Sequence, residues 1–328
     1  MSEPMHRRQV LKAAAAGAVA LGLSPRSRAE AVPPLRASGA KRALRVAHLT
    51  DIHVQPELRA AEGLAAALAH VQSLDDKPQL ILTGGDHVMD CFSQDEARTK
   101  LQWELLAKVF RDGNSLPVRH AIGNHDVWGW NKGKSKTTGD EPMWGKRFAL
   151  DQIGMERSYH SFDQAGWHFV CLDSISHDPN NANGYLGKLG DEQIDWLARD
   201  LESTPKSTPV LVLSHIPILT VTGILGRPDK KSNDYNCSGG VMHTDSSQIR
   251  DLFARHPNVK VCLSGHTHRL DRVDFCGVSY ICNGAVCGNW WKGVHYECRE
   301  GFAVLDLFSD GSFENTYIPY GWHAESQG

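Results

Sequence analysis

Five short polar motifs each close an apolar run: Asp51-Ile52-His53, Gly85-Asp86, Gly123-Asn124-His125-Asp126, Ser214-His215 and Gly265-His266-Thr267-His268. This recurrence constrains the fold more than any other feature. The apolar runs have strand length, and stretches of helical periodicity separate the first three. Residues 43–49 lead to Asp51, 80–82 to Gly85-Asp86 and 118–122 to Gly123. Between them, 60–74 set Leu64, Leu68 and Val71 on one face, and 96–110 do the same with Leu101, Leu105 and Val109. The order βαβαβ implies a parallel sheet covered by helices. Carboxylates, an amide and imidazoles then converge from several strand ends, the donor set that a two-metal hydrolytic site needs.

The second half alternates in the same way. Residues 158–162 and 167–172 flank Gly166 as a hairpin-like pair, and 191–201 form a helix with Ile194, Leu197 and Leu201 inward. A strand at 209–213 ends at Ser214-His215, a helix follows at 248–256, and a strand at 259–263 ends at Gly265. The tail offers short antiparallel strands at 277–282, 302–307 and 312–318. Two loops are too long for simple connections. Residues 127–157, with Trp128, Trp130 and Trp144, are expected to shape the rim of the site, and 218–246 to form a lid or a homodimer contact.

The first 31 residues read as a separate segment. Arg7-Arg8-Gln9-Val10-Leu11-Lys12 precedes a small-residue apolar run, 13–23, and Ala29-Glu30-Ala31 offers a cleavage site. The segment resembles a twin-arginine export signal, which implies the twin-arginine machinery as a partner and a periplasmic or secreted protein; an ordinary secretion signal or an N-terminal anchor is the alternative. Five of the 35 basic and two of the 38 acidic residues lie in this segment, leaving about −6 on the rest. A mildly acidic chain is a poor non-specific partner for nucleic acid. No 18-residue apolar run occurs beyond the segment, so no membrane span is expected in the mature chain. The whole chain is 41% apolar and 22% charged, ordinary values for a globular protein that can bury a real core.

All eight cysteines lie beyond residue 31. Cys171 and Cys262 sit inside strand-like runs and read as buried small hydrophobes. Cys276, Cys282, Cys287 and Cys298 crowd the C-terminal stretch and Cys237 lies in a loop, where one or two disulfides are expected.

The order D-x-H, G-D, G-N-H-D, H and G-H-x-H resembles the calcineurin-like metallophosphoesterase family over residues 44–268, with 42–328 as its domain. The resemblance implies a four-layer α/β/β/α sandwich with a dimetal site at the strand C-terminal ends. It implies that Asp51, His53 and His268 bind one ion, that Asp86 bridges, and that Asn124, His215 and His266 complete the second. It further implies that His125 protonates the leaving oxygen or holds the phosphate, with Asp126 orienting its imidazole, and that a water or hydroxide between the ions attacks. No thiolate occurs in the motifs, so manganese, iron or zinc is expected. Purple acid phosphatases carry a tyrosine three residues after the bridging aspartate; Met89 stands there, so no phenolate–iron ligation is expected.

The block G-N-H-D, the length and the tail resemble the cyclic-nucleotide phosphodiesterase branch, which implies small phosphorylated diesters as substrates. A phosphomonoesterase and a non-catalytic binding scaffold are the alternatives. His87 reads as a rim contact. Trp290 and Trp291 read either as a stacking surface for substrate or as packing under the site loops. Asp90 is a turn residue or supports the site from behind, and His120 is expected to pack within its strand.

Overall fold

The computed structural model describes residues 39–324; the expected export signal at 1–31 lies outside the described residues. The chain runs β1 (Arg42–Leu49), α1 (Ala60–Ser73), β2 (Leu80–Gly84), α2 (Glu96–Gly113) and β3 (Val118–Ala121). β1, β2 and β3 pair in parallel, as the alternation of periods requires. Short helices α3 (Lys132–Ser135) and α4 (Lys146–Gln152) punctuate the long loop that follows. Next come β4 (His160–Gln164), β5 (Trp167–Cys171), a small hairpin of β6 (Ile175–His177) and β7 (Tyr185–Gly187), α5 (Asp191–Ser203) and β8 (Val210–Leu213). The chain continues with α6 (Ser246–Ala254), β9 (Val259–Ser264), β10 (Asp271–Phe275), β11 (Val278–Cys282), β12 (Gly301–Phe308) and β13 (Phe313–Pro319).

Two mixed sheets result, ordered β13-β12-β1-β2-β3 and β10-β11-β9-β8-β5-β4. Side chains alternate across each strand, and the alternation builds the layers. Leu44 and Val46 of β1, with Leu80 and Leu82 of β2, meet Phe169, Cys171, Leu211 and Leu213 between the sheets. Ala47, Leu49 and Ile81 face the other way, against Leu64, Leu68 and Val71 of α1 and Trp103 of α2. Val170, Val210 and Val212 pack on Ile194, Leu197 and Leu201 of α5 and on Ile249 and Phe253 of α6. The fold is therefore a four-layer α/β/β/α sandwich.

A bulge adjusts this alternation in β9. Val210 pairs with Val259, but Leu211 pairs with Val261. The extra residue, Lys260, lets Val259 face the helices while Val261 faces the other sheet.

Three expectations are corrected. Leu101 is 47% exposed, and α2 buries Thr99, Gln102, Trp103, Leu106 and Val109 instead. The face is set by the large Trp103 and by Gln102, whose amide donates to the Asp90 carbonyl at 2.8 Å. The 277–282 strand pairs antiparallel with β10 but parallel with β9, so the tail is not a simple meander. All eight cysteines are free thiols. Cys282 contacts Thr267 and the Gly265 carbonyl, Cys287 lies against His268, Cys298 meets Tyr317, and Cys276 is exposed in the β10–β11 turn. Among the described residues no helix is long and apolar enough to cross a membrane.

Candidate metal centre

The loops after β1, β2, β3, β8 and β9 bring all seven expected ligands to one place. Around Asp86 they form two groups. In the first, His53 Nε2 lies 3.0 Å from His268 Nε2 and 3.5 Å from Asp86 Oδ2, and His268 Nε2 lies 3.3 Å from Asp51 Oδ1. In the second, His215 Nε2 lies 3.2 Å from each of Asp86 Oδ2, Asn124 Oδ1 and His266 Nδ1. Asp86 Oδ2 belongs to both. Asp51, His53 and His215 are fully buried, and Asp86, Asn124 and His268 nearly so.

The backbone is bent to achieve this. Asp51, His53, Asp86, His266 and His268 all have positive φ, between 47° and 69°. Non-glycine residues seldom adopt that region, and a cluster of them marks a site whose geometry the surroundings over-determine. The turns at 266 and 268 explain how histidines two apart reach different groups. Close approach also needs glycine. A Cβ on Gly123 would fall on Asp86 Oδ1, and one on Gly265 on the Thr50 hydroxyl and Asp51 Oδ2.

The residues fit a pair of cations. His215 and His268 each turn Nδ1 to a backbone carbonyl at 2.7 Å, of Gly84 and Gly288, and His266 turns Nε2 to that of Gly240 at 2.7 Å. Each N–H so used aims the opposite nitrogen at the centre, where it can ligate once it carries no proton, the arrangement that orients histidine ligands. Nitrogens 3.0–3.2 Å apart beside two carboxylates must share either a proton or a metal cation, and a donor set of this kind accepts either. Asp51 is fixed in turn by the Thr50 hydroxyl at 2.6 Å and the His266 N–H at 2.9 Å, and Asp86 by the His125 N–H at 2.8 Å.

Titration divides the histidines into two kinds. Burial lowers His53 well below the usual imidazole range and His266 to about 4, so both are neutral. Burial also opposes charge on His215, but the facing Asp86 carboxylate outweighs it and raises His215 to about 9. His268 likewise rises well above its usual range despite burial, with Cys287 and Asp51 beside it. Asp51 and Asp86 stay ionised although burial disfavours their charge, because the histidines around them supply positive potential. Each ligand group thus holds one removable proton.

The remaining expected residues fall in different places. His125 is partly exposed at the mouth of the site, edge-on to His53 with ring centroids 4.7 Å apart. Its Nδ1 donates to the Met89 carbonyl at 2.6 Å. Asp126 does not orient it. The Asp126 carboxylate accepts from the Gly123 N–H at 2.9 Å, the His87 N–H at 2.8 Å and His87 Nδ1 at 2.9 Å. Asn124–Asp126 is a 3-10 turn, whose successive side chains diverge by about 120°, so His125 facing the site sends Asp126 inward.

His87 is not a rim contact either. It is fully buried between Asp126 and Thr83, whose hydroxyl also meets His120 Nδ1 at 2.7 Å. Trp291 is buried under the site, packed over Gly63, with its indole N–H donating to the His53 carbonyl at 2.9 Å. Trp290 stays at the surface of the site, its ring 4.3 Å from that of His268. Asp90 is a turn residue, accepting from the Ser93 N–H at 3.1 Å. The sequence reading missed Tyr185, 6.3 Å ring to ring from His266, and Cys287, whose Sγ lies 3.8 Å from His268 Nδ1, behind the coordinating nitrogen. No motif flags either.

Known proteins resemble this chain in sequence and in fold. The chain is similar to a 3',5'-cyclic-nucleotide phosphodiesterase of Nostoc sp., 24% identical over 294 residues that cover 84% of this chain and 92% of the relative. It is similar to a 3',5'-cyclic adenosine monophosphate phosphodiesterase of Escherichia coli K12, 23% identical over 286 residues, covering 82% and 87%. Its fold resembles that of a dimetal phosphatase from Danio rerio, with TM-score 0.59 and 16% identity, covering 86% of this chain and 100% of the other. It also resembles a Plasmodium protein described as the anchor in the inner membrane complex, with TM-score 0.51 and 13% identity over 85% of each chain, so the fold alone does not specify chemistry. Residues 44–270, which contain all five motifs, match the calcineurin-like phosphoesterase family. The chain belongs to that family of metal-dependent phosphoric ester hydrolases.

Proposed function

We propose that this protein is an exported phosphodiesterase that hydrolyses small phosphodiesters, 3',5'-cyclic nucleotides among them, at a dimetal centre. One observation carries the catalytic part: two buried donor groups share Asp86 Oδ2, each with a facing histidine nitrogen 3.2–3.5 Å from it. Asp51, His53, His268 and Asp86 would hold one cation, and Asp86, Asn124, His215 and His266 the other. Such a pair supplies Lewis acidity at the phosphoryl oxygens and makes water a usable nucleophile near neutral pH.

The chain's own groups do the rest. The carbonyls of Gly84, Gly240 and Gly288 hold three imidazoles in one tautomer, so little reorganisation accompanies reaction. Asn124 contributes a neutral oxygen, which leaves its group less negative and more attractive to a phosphate. With Nδ1–H committed to Met89, His125 presents Nε2 to the substrate. From there, in its imidazolium form, it gives the Nε2 proton to the ester oxygen as the P–O bond to the alcohol breaks, and is left neutral. The His125 N–H on Asp86 ties that imidazole's position to the shared carboxylate.

The names of the relatives at 23–24% identity support a diester substrate. The paired arginines at 7–8, the apolar run and Ala29-Glu30-Ala31 support export. A twin-arginine substrate folds before it crosses, which would let the metals load inside the cell.

The test is hydrolysis of bis-p-nitrophenyl phosphate against p-nitrophenyl phosphate by the protein with added manganese, beside Asp86→Ala and His125→Ala. Diester turnover lost in Asp86→Ala is the expected result. A monoester preference would move the reading to a phosphatase, and no turnover with manganese, iron or zinc would leave a binding scaffold. Export is tested by fractionating cells that express the full chain or its Arg7→Lys, Arg8→Lys form; equal amounts outside the cytoplasm would exclude the twin-arginine route.

A further inference from the structure

Trp290 and Trp291 are consecutive bulky residues with left-handed backbones, φ 49° and 67°. Such a pair persists only where its surroundings enforce it. The enforcement is visible. The Trp291 N–H donates to the Cys287 carbonyl at 2.8 Å, the Lys292 N–H to that of Asn289 at 2.9 Å, and the Asn289 N–H to that of Gly293 at 2.9 Å. Trp291 has a packing reason to be there: it is 1% exposed within the core beneath α1. Trp290 belongs to none of the hydrophobic clusters among the described residues and stays partly exposed. Its backbone strain turns an aromatic ring toward the metal centre instead.

Three imidazole rings lie against it. Its centroid lies 4.3 Å from that of His268, 6.0 Å from His53 and 5.4 Å from His295, the last edge-on at 86°. His125 packs on the same His53. The proton donor for the leaving oxygen and this tryptophan therefore share one neighbour, whereas Tyr185 lies beside His266 in the other ligand group. A planar ring on the departing alcohol would lie close to Trp290 while the phosphate occupied the centre.

We propose that Trp290 is a specificity residue: it stacks a planar ring carried by the leaving alcohol, a nucleobase being the class that fits a small phosphodiester. The proposal rests on the reading of the site as a phosphodiesterase. Stacking of a base on an aromatic side chain corresponds to a factor of roughly 5 to 150 in binding.

The test compares the metal-loaded protein with Trp290→Asn and Trp290→Phe. Asparagine removes the ring yet tolerates the left-handed backbone, and phenylalanine keeps a ring. Two substrates are assayed, 3',5'-cyclic adenosine monophosphate and the base-free glycerol cyclic phosphate. Binding of adenosine monophosphate and of ribose 5-phosphate is measured by calorimetry. In Trp290→Asn, the kcat/KM ratio of the base-bearing to the base-free diester is expected to fall roughly 5- to 150-fold, mainly through KM. The ratio of the two affinities should fall likewise, and Trp290→Phe should recover most of both. Ratios unchanged in Trp290→Asn overturn the proposal, even if all rates drop, because a ring that merely buttressed His268 would affect both substrates alike. Inactivity of the unsubstituted protein on both diesters would instead refute the phosphodiesterase reading, and the nucleotide affinities would still decide the role of Trp290.

Discussion

Removing the metals should leave two protons in their place, and replacing them should expel those protons. Four histidines decide the count. His53 and His266 are neutral at any pH near 7, so they present lone pairs without prior deprotonation. His215 keeps its proton to about 9 and His268 is raised in the same direction. A cation entering either group must displace that group's proton, because a ligating imidazole needs its lone pair. One displaced proton makes apparent affinity rise about tenfold per pH unit, so the His215 group should bind about 100-fold more tightly at pH 8.5 than at pH 6.5. Calorimetric titration of the metal-free protein with manganese or zinc, in two buffers of different ionisation heat, counts the protons directly. About two protons released per two ions near pH 7.5 is expected. Affinity independent of pH, with no proton release, would refute the assignment of charged His215 and His268 in the empty site.

The same shift predicts how the metal-free fold responds to pH. The folded pKa of His215 lies above the usual 6.5 of an exposed imidazole, so its proton stabilises the fold. That contribution is complete below about 6.5 and disappears as pH rises through about 9; the difference corresponds to ~3 kcal/mol. Metal-free protein should therefore lose stability between pH 7 and 9, and the metal-loaded protein should gain relative to it, which urea unfolding at both pH values measures.

Three further outcomes follow from named contacts. His125→Ala should lower kcat about 10²- to 10⁴-fold on an alkyl diester but less on bis-p-nitrophenyl phosphate, whose leaving group needs little protonation; equal losses on both would mean that His125 binds phosphate rather than protonating. Gly123→Ala drives a methyl group onto Asp86 Oδ1, so elemental analysis should find the protein depleted of metal, and full metal content would show that the loop yields. Gly63→Ala pushes a methyl group into the Trp291 ring and should cost about 1–3 kcal/mol by urea midpoint at unchanged slope.

Much of the fold was legible because strand ends and ligand identity are both local. Asp51, Asp86, Asn124, His215 and His266 each sit where a short apolar run stops, and a parallel sheet brings such ends together whatever lies between. What the sequence concealed depends on direction rather than identity. The carbonyls of Gly84, Gly240 and Gly288 fix three imidazoles, yet every residue has a carbonyl, and no motif says which ones will point at a ring. Asp126 adjoins His125 in sequence and was expected to orient it, but the pitch of a 3-10 turn separates adjacent side chains, and the carboxylate serves His87 and the Gly123 N–H instead. Trp290 and Trp291 are chemically identical neighbours, yet with left-handed backbones at both, one lies in the core and the other beside the ring of His268. Leu101 missed the core because Trp103 and Gln102 claimed the face. In each case the residue type was a sound guide to the chemistry available, while the turn geometry decided which neighbour received it. The test of Trp290 is therefore also a test of whether backbone strain at this site has a chemical purpose.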